Sequence, residues 1–87
     1  MPIISMFYGI IIRMFCAPGE HNPPHFHAQY GDYKASFTLD GELLNGEFPN
    51  RQKHYVIAWA MLHHDELVAD WEMAMDGAEV YKIDPLR

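Results

Sequence analysis

A single cysteine, Cys16, excludes an internal disulfide and leaves no paired spacing of the zinc-ribbon kind. Positive charge is also scarce. Six Lys and Arg stand against twelve Asp and Glu, a net charge of −6, and a field of that sign repels phosphate polymers, which argues against non-specific nucleic-acid binding. No long hydrophobic run is present either. The most apolar stretch, Ile3 to Ile12, is too short to span a bilayer and lacks the basic flank and small-residue cleavage site of a secretory signal. It reads as a strand, and with one cysteine the chain fits a reducing cytoplasm, away from any membrane. There is no internal repeat and no low-complexity segment.

What is present is a compact supply of apolar and aromatic residues. Eighty-seven residues with 49% apolar content can bury one core but hardly two, so residues 1–87 read as a single domain. Two Trp, five Tyr and five Phe exceed what one small core easily hides, and the surplus points to an interface with a second copy or another protein. The acids Asp65, Glu66, Asp70, Glu72, Asp76 and Glu79 form a run without a base, which reads as a solvated helix face.

The near-continuous apolarity of Phe7 to Phe15, interrupted by Gly9 and Arg13, predicts one central strand covered on both faces. Three prolines and a glycine in residues 17–24 exclude helix there. Residues 25–38 then read as a hairpin about Gly31-Asp32, a Gly-first pair suited to a type II′ turn. That turn sets a register. Phe26, Ala28, Tyr30, Tyr33, Ala35 and Phe37 share an apolar face, while His25, His27, Gln29, Lys34, Ser36 and Thr38 share a polar one. Leu43-Leu44 is expected to add a short edge segment before an Asn45-Gly46 turn.

From Asn50, read as an N-cap, to Met75 the residues Val56, Trp59, Ala60, His63, Leu67, Trp71 and Ala74 recur at helical spacing, and Gly77 stops the pattern. One helix would fit, but His63-His64-Asp65 offers a break with Asp65 as a second cap, so two helices are preferred. Val80 to Ile83 is expected to return as a short edge strand. The fold expected is therefore α+β: a small antiparallel sheet of three to four strands packed on one or two C-terminal helices.

The segments Phe7-Tyr8-Gly9-Ile10-Ile11-Ile12-Arg13-Met14, His21-Asn22-Pro23-Pro24-His25-Phe26-His27-Ala28, Tyr30-Gly31, Trp59-Ala60, Leu62-His63 and Trp71-Glu72 together resemble the small bacterial family catalogued as domain of unknown function 4160. The Asn-Pro-Pro-His-Phe-His-Ala run is the most specific of these. The resemblance implies a compact bacterial cytosolic domain, encoded beside another small protein and suspected of belonging to toxin–antitoxin-type pairs. It implies no catalytic activity and supplies no catalytic residues.

Chemistry at the site must therefore come from the residues themselves. His25 and His27, two apart on a strand, project to one face, close enough to share a ligand. With His21 as a weak third ligand they would hold a divalent metal; Glu20, Cys16, His63 and His64 are the other supplements, none at a diagnostic spacing. Nothing in the chain requires a cofactor. For acid–base work, the same face carries Ser36 opposite His27, with Lys34 further along. Arg13, a guanidinium inside an apolar strand, should seek either a helix carboxylate such as Glu72 or an anion. Arg51, Lys53 and His54 crowd the start of the helix, where the dipole disfavours cations. They fit either an acidic partner or pairing with Glu42 or Glu47. Two function classes remain: a protein-binding domain, pairing with a small protein encoded nearby or with itself as a homodimer, and a small nuclease or phosphate-transfer enzyme using Arg13, His25 and His27.

Overall fold

The computed structural model describes residues 2–15 and 23–87. Five strands, β1 (Ile3–Phe7), β2 (Ile10–Arg13), β3 (His25–Tyr30), β4 (Tyr33–Thr38) and β5 (Leu43–Gly46), form one antiparallel sheet in sequential order. Two helices follow, α1 (Asn50–Leu62) and α2 (His64–Met75). The α+β class and the two C-terminal helices match the sequence pattern. The strand number does not, because Phe7 to Phe15 is not one strand: Tyr8 (φ 49) and Gly9 (φ 78) turn the chain back within it. A tyrosine in the left-handed region costs conformational energy and is not a turn signature, so the apolar run hid the turn. β2 is nevertheless central, paired to β1 on one side and β3 on the other.

The β3–β4 hairpin has the expected register, from His25 opposite Thr38, through His27 opposite Ser36, to Tyr30 opposite Tyr33. Gly31 supplies the positive φ of 57 that a Gly-first turn requires. β5 includes Asn45 and Gly46, which the sequence assigned to a turn. It leaves the β4 ladder irregularly, with a shift between Ser36 and Phe37.

Trp59 anchors the core from α1, its ring lying 5.5 Å from Phe7 and 5.6 Å from Phe26, while Phe26 stacks on Phe37 at 5.7 Å. Ile4, Ile10, Ile12, Met14, Val56, Ala60, Leu67 and Trp71 belong to the same buried cluster. Both helices thus cover one face of the sheet. Their expected stripe is buried except His63, which sits half-exposed at the break between them.

The caps differ from those expected. Pro49 precedes α1 and its carbonyl accepts from Lys53 N–H at 2.8 Å, so Asn50 is the first helical residue and not the cap. His63, not Asp65, is the N-cap of α2, and its Nδ1 lies 2.7 Å from Glu66 Oε1 three residues on. Asp65 and Glu66 then occupy the first turn, where the positive end of the helix dipole favours them. α2 ends in a Schellman arrangement, with Gly77 N–H on Ala74 O and Ala78 N–H on Met73 O.

Beyond α2 the tail runs back along β1 without forming the expected edge strand. Ile83 N–H donates to Ile4 O at 2.7 Å, but Tyr81 N–H is taken by the Asp70 carboxylate, so no ladder propagates. Trp59 Nε1–H donates to Asp84 O at 2.8 Å, and Ile83 is buried. Asp70 itself departs from the solvated-face reading, being only 2% exposed. Burial raises its pKa above the usual carboxylate value, the Tyr81 N–H opposes this, and nearby Glu66 adds to the rise. Among the described residues, no helix is long and apolar enough to cross a membrane.

Candidate functional site on the open sheet face

Because side chains alternate along a strand, the residues between the core positions must point away from the helices. Register places Ile3, Arg13, His27, Ser36 and Asn45 in one row across all five strands, and Met6, Ile11, Gln29 and Lys34 in the next. None of the five strands contains an Asp or Glu. The acidity of the protein therefore belongs to its turns, helices and tail; the strands carry Arg13 and Lys34 on the open face, with Asp32 and Glu47 flanking them from the adjoining turns.

A groove of about 340 Å³ opens on this face, lined by Arg13, His27, Gln29, Lys34, Ser36 and Asn45. Arg13 Nη1 donates to Gln29 Oε1 at 2.9 Å, and Gln29 Nε2 donates in turn to Gly31 O at 3.3 Å, which ties the guanidinium to the β3–β4 turn. This corrects the expected Arg13–Glu72 pair: Glu72 is exposed on α2, whereas Arg13 lies on the side of the sheet away from the helices. Asn45 Oδ1 accepts Gly46 N–H at 2.9 Å, which leaves its NH₂ as the polar group it can offer a ligand.

The structure brings four of the five candidate residues, Arg13, His27, Lys34 and Ser36, to this groove. His25 stands apart. Its ring lies 5.2 Å from that of His27, but it is only 7% exposed and packs 5.3 Å from Trp71. Its Nδ1 is 2.8 Å from Pro23 O, and since a carbonyl only accepts, that nitrogen carries the proton. His25 thus braces the start of β3, while His27 faces the groove.

Among the described residues, no group of three or more His, Cys, Asp and Glu is placed to hold a metal ion. His21, Glu20 and Cys16 lie outside the described residues. His63 and His64 belong to the helix junction, where His64 Nε2 lies 3.0 Å from Asp40 Oδ1 and 3.7 Å separates its Nδ1 from Asp65 Oδ1. Among the described residues, Arg51 and Lys53 form no ion pair with Glu42 or Glu47.

Two groove residues escaped the sequence reading of the site. Gln29 was placed on the right face, but nothing in its type marked it as the brace of Arg13. Asn45 was hidden because Asn-Gly reads as a turn, and only the β4–β5 register brings it opposite Ser36.

The class defined by these observations is a small α+β domain with a five-stranded antiparallel meander, helices on one face and a polar groove on the other. The profile of the family described as Domain of unknown function (DUF4160) matches residues 9–72, and the chain belongs to that family. No curated protein and no solved structure matches the chain.

Proposed function

We propose that the protein is a protein-binding domain, one member of a toxin–antitoxin-type pair of small bacterial proteins, and that its partner docks on the open face of the sheet. The observation that carries this reading is the groove between β2 and β5, where cationic and neutral donors gather on strands free of carboxylates. Beside it, Ile3 and Met6 are exposed apolar groups on the same face, 37% and 59% accessible, so the surface combines an apolar corner with a charged centre. Such a mixture suits protein recognition, in which an apolar anchor contributes affinity and the charges set orientation. A second copy of the chain is the other partner this corner could take.

The test is co-expression with the protein encoded beside it, followed by titration of the purified components. Met6→Glu and Lys34→Glu are expected to weaken capture by at least about ten-fold, the loss typical of a disrupted interface contact. Undiminished capture by both variants would remove the open face as the docking surface. Light scattering separates pairing with the neighbour from self-association.

A second reading, a nuclease or phosphate-transfer enzyme, draws on the position of His27 between Arg13 and Ser36 on adjacent strands. There His27 would exchange a proton while Arg13 balances charge on a phosphoryl group. His25 contributes less than the sequence suggested, because its ring is buried against Trp71.

A further inference from the structure

We infer that the groove on the open face is a receptor for a phosphate monoester dianion. This rests on the reading of that face as the binding surface and adds the chemical class of what it binds. The argument begins with charge. Arg13 and Lys34 bring two permanent positive charges to one groove, and no strand residue offsets them. A single carboxylate would neutralise only half of that, whereas a phosphoryl group carries close to two negative charges near neutral pH and three acceptor oxygens.

Donor chemistry agrees. Apart from Gln29 Oε1, which already accepts from Arg13, the groove offers the guanidinium, the ammonium, the Ser36 hydroxyl and the Asn45 NH₂, all able to donate. Arg13 is held in place before a ligand arrives, because the Gln29 carboxamide fixes one nitrogen and leaves the fork's other N–H groups for an oxyanion. Strand spacing of about 4.8 Å sets Arg13 and Ser36 about 10 Å apart at the backbone, with His27 between them, so long and short side chains can converge on one tetrahedral group.

The groove's 340 Å³ is more than a phosphoryl group occupies and leaves room for the atoms that carry it. A nucleobase among those atoms would find only the Arg13 guanidinium and the His27 ring to lie against. The open-face positions of the strands, Ile3, Met6, Ile11, Gln29, Lys34 and their row-mates, include no Phe, Tyr or Trp on which a base could stack. A phosphorylated side chain or a small phosphate ester fits both the charge and the missing platform.

The full chain is titrated with inorganic phosphate, phosphoserine and, as controls, acetate and sodium chloride at matched ionic strength, at slightly alkaline pH. Backbone amide shifts of β2 to β5 and the melting temperature are the readouts. Phosphate and phosphoserine should perturb the amides around Arg13, His27 and Ser36 saturably and raise the melting temperature, with the controls inert. Arg13→Met should weaken the response by about ten-fold or more, and Ser36→Ala by less. Lys34→Gln, at an exposed position, provides a variant that removes charge without disturbing the fold. A tighter response to phosphoserine than to phosphate assigns the source to a modified side chain; the reverse assigns it to a small ion or ester. An equal response to acetate or chloride, or an unchanged one in both Arg13→Met and Lys34→Gln, overturns the proposal. Partner capture that persists when phosphate fails to bind would sink the ligand class alone and leave the docking face standing.

Discussion

Phe26 and His27 are neighbours in the chain and lie on opposite sides of one sheet, and the two faces they represent are built on different physics. Phe26 is fully buried between Phe37 and Trp59, where its contribution is the removal of apolar area from water and close contact with aromatic partners. His27 lines a groove of polar and cationic side chains, in which Arg13 is oriented by its hydrogen bond to Gln29. One set of strands therefore separates a packed face from a polar one residue by residue, so core and groove can be altered independently.

The sharpest way to break that separation is in the core. Phe26→Ala or Phe37→Ala should lower the unfolding free energy by roughly 3–5 kcal/mol, the usual cost of deleting a buried aromatic ring, as read from urea melts. Next comes Gly46→Ala at the groove's edge. The backbone there has φ 89, and an added Cβ would run into the Lys34 carbonyl oxygen, so a loss of roughly 2–4 kcal/mol is expected although the residue is exposed. A neutral result would show that β5 is not held against β4 as described.

His25→Ala should cost roughly 1–2 kcal/mol, since it removes a ring packed on Trp71 and a hydrogen bond to Pro23. His27→Ala should cost less than His25→Ala, because its ring is less deeply buried, and a larger loss at His27 would contradict that order. Lys34→Ala and Ser36→Ala lie at the small end, within about 0.5 kcal/mol.

Asp70 tests the helical side by pH. Its folded pKa is raised, so between the ordinary value of 3.8 and the folded value the native chain holds a proton that the unfolded chain has released. Stability should therefore fall as pH rises through that window and stay lower above it. Asp70→Asn keeps an acceptor for Tyr81 N–H without the charge, so its stability relative to wild type should improve as pH rises. Parallel pH profiles for the two proteins would show that the buried carboxylate does not act this way.

The legibility of these regions in the sequence followed from how many independent signals agreed. In the β3–β4 hairpin, Gly31-Asp32 fixed the turn and the alternation from His25 to Thr38 fixed the faces, and each constrained the other. Around β1–β2 there was one signal only. Apolar residues on both sides of Tyr8-Gly9 carry no alternation to mark the turn, and a tyrosine at positive φ is tolerated because the surrounding sheet imposes it. Asp70 was indistinguishable from its acidic neighbours because burial there depends on a tail that returns from more than ten residues away. Arg13 stands out in the sequence as a charge in an apolar strand, but its partner is the neutral Gln29 on the adjacent strand.

The return of the tail has a further consequence for how the molecule meets its neighbours. An exposed strand margin invites other chains to pair with it, and each margin of this sheet has a backbone group already occupied. Along β1 the returning residues occupy Ile4 O through Ile83 N–H, and along β5 the Gly46 N–H is satisfied by the side chain of Asn45 beside an irregular ladder. Addition of a further strand is hindered at one point on each side.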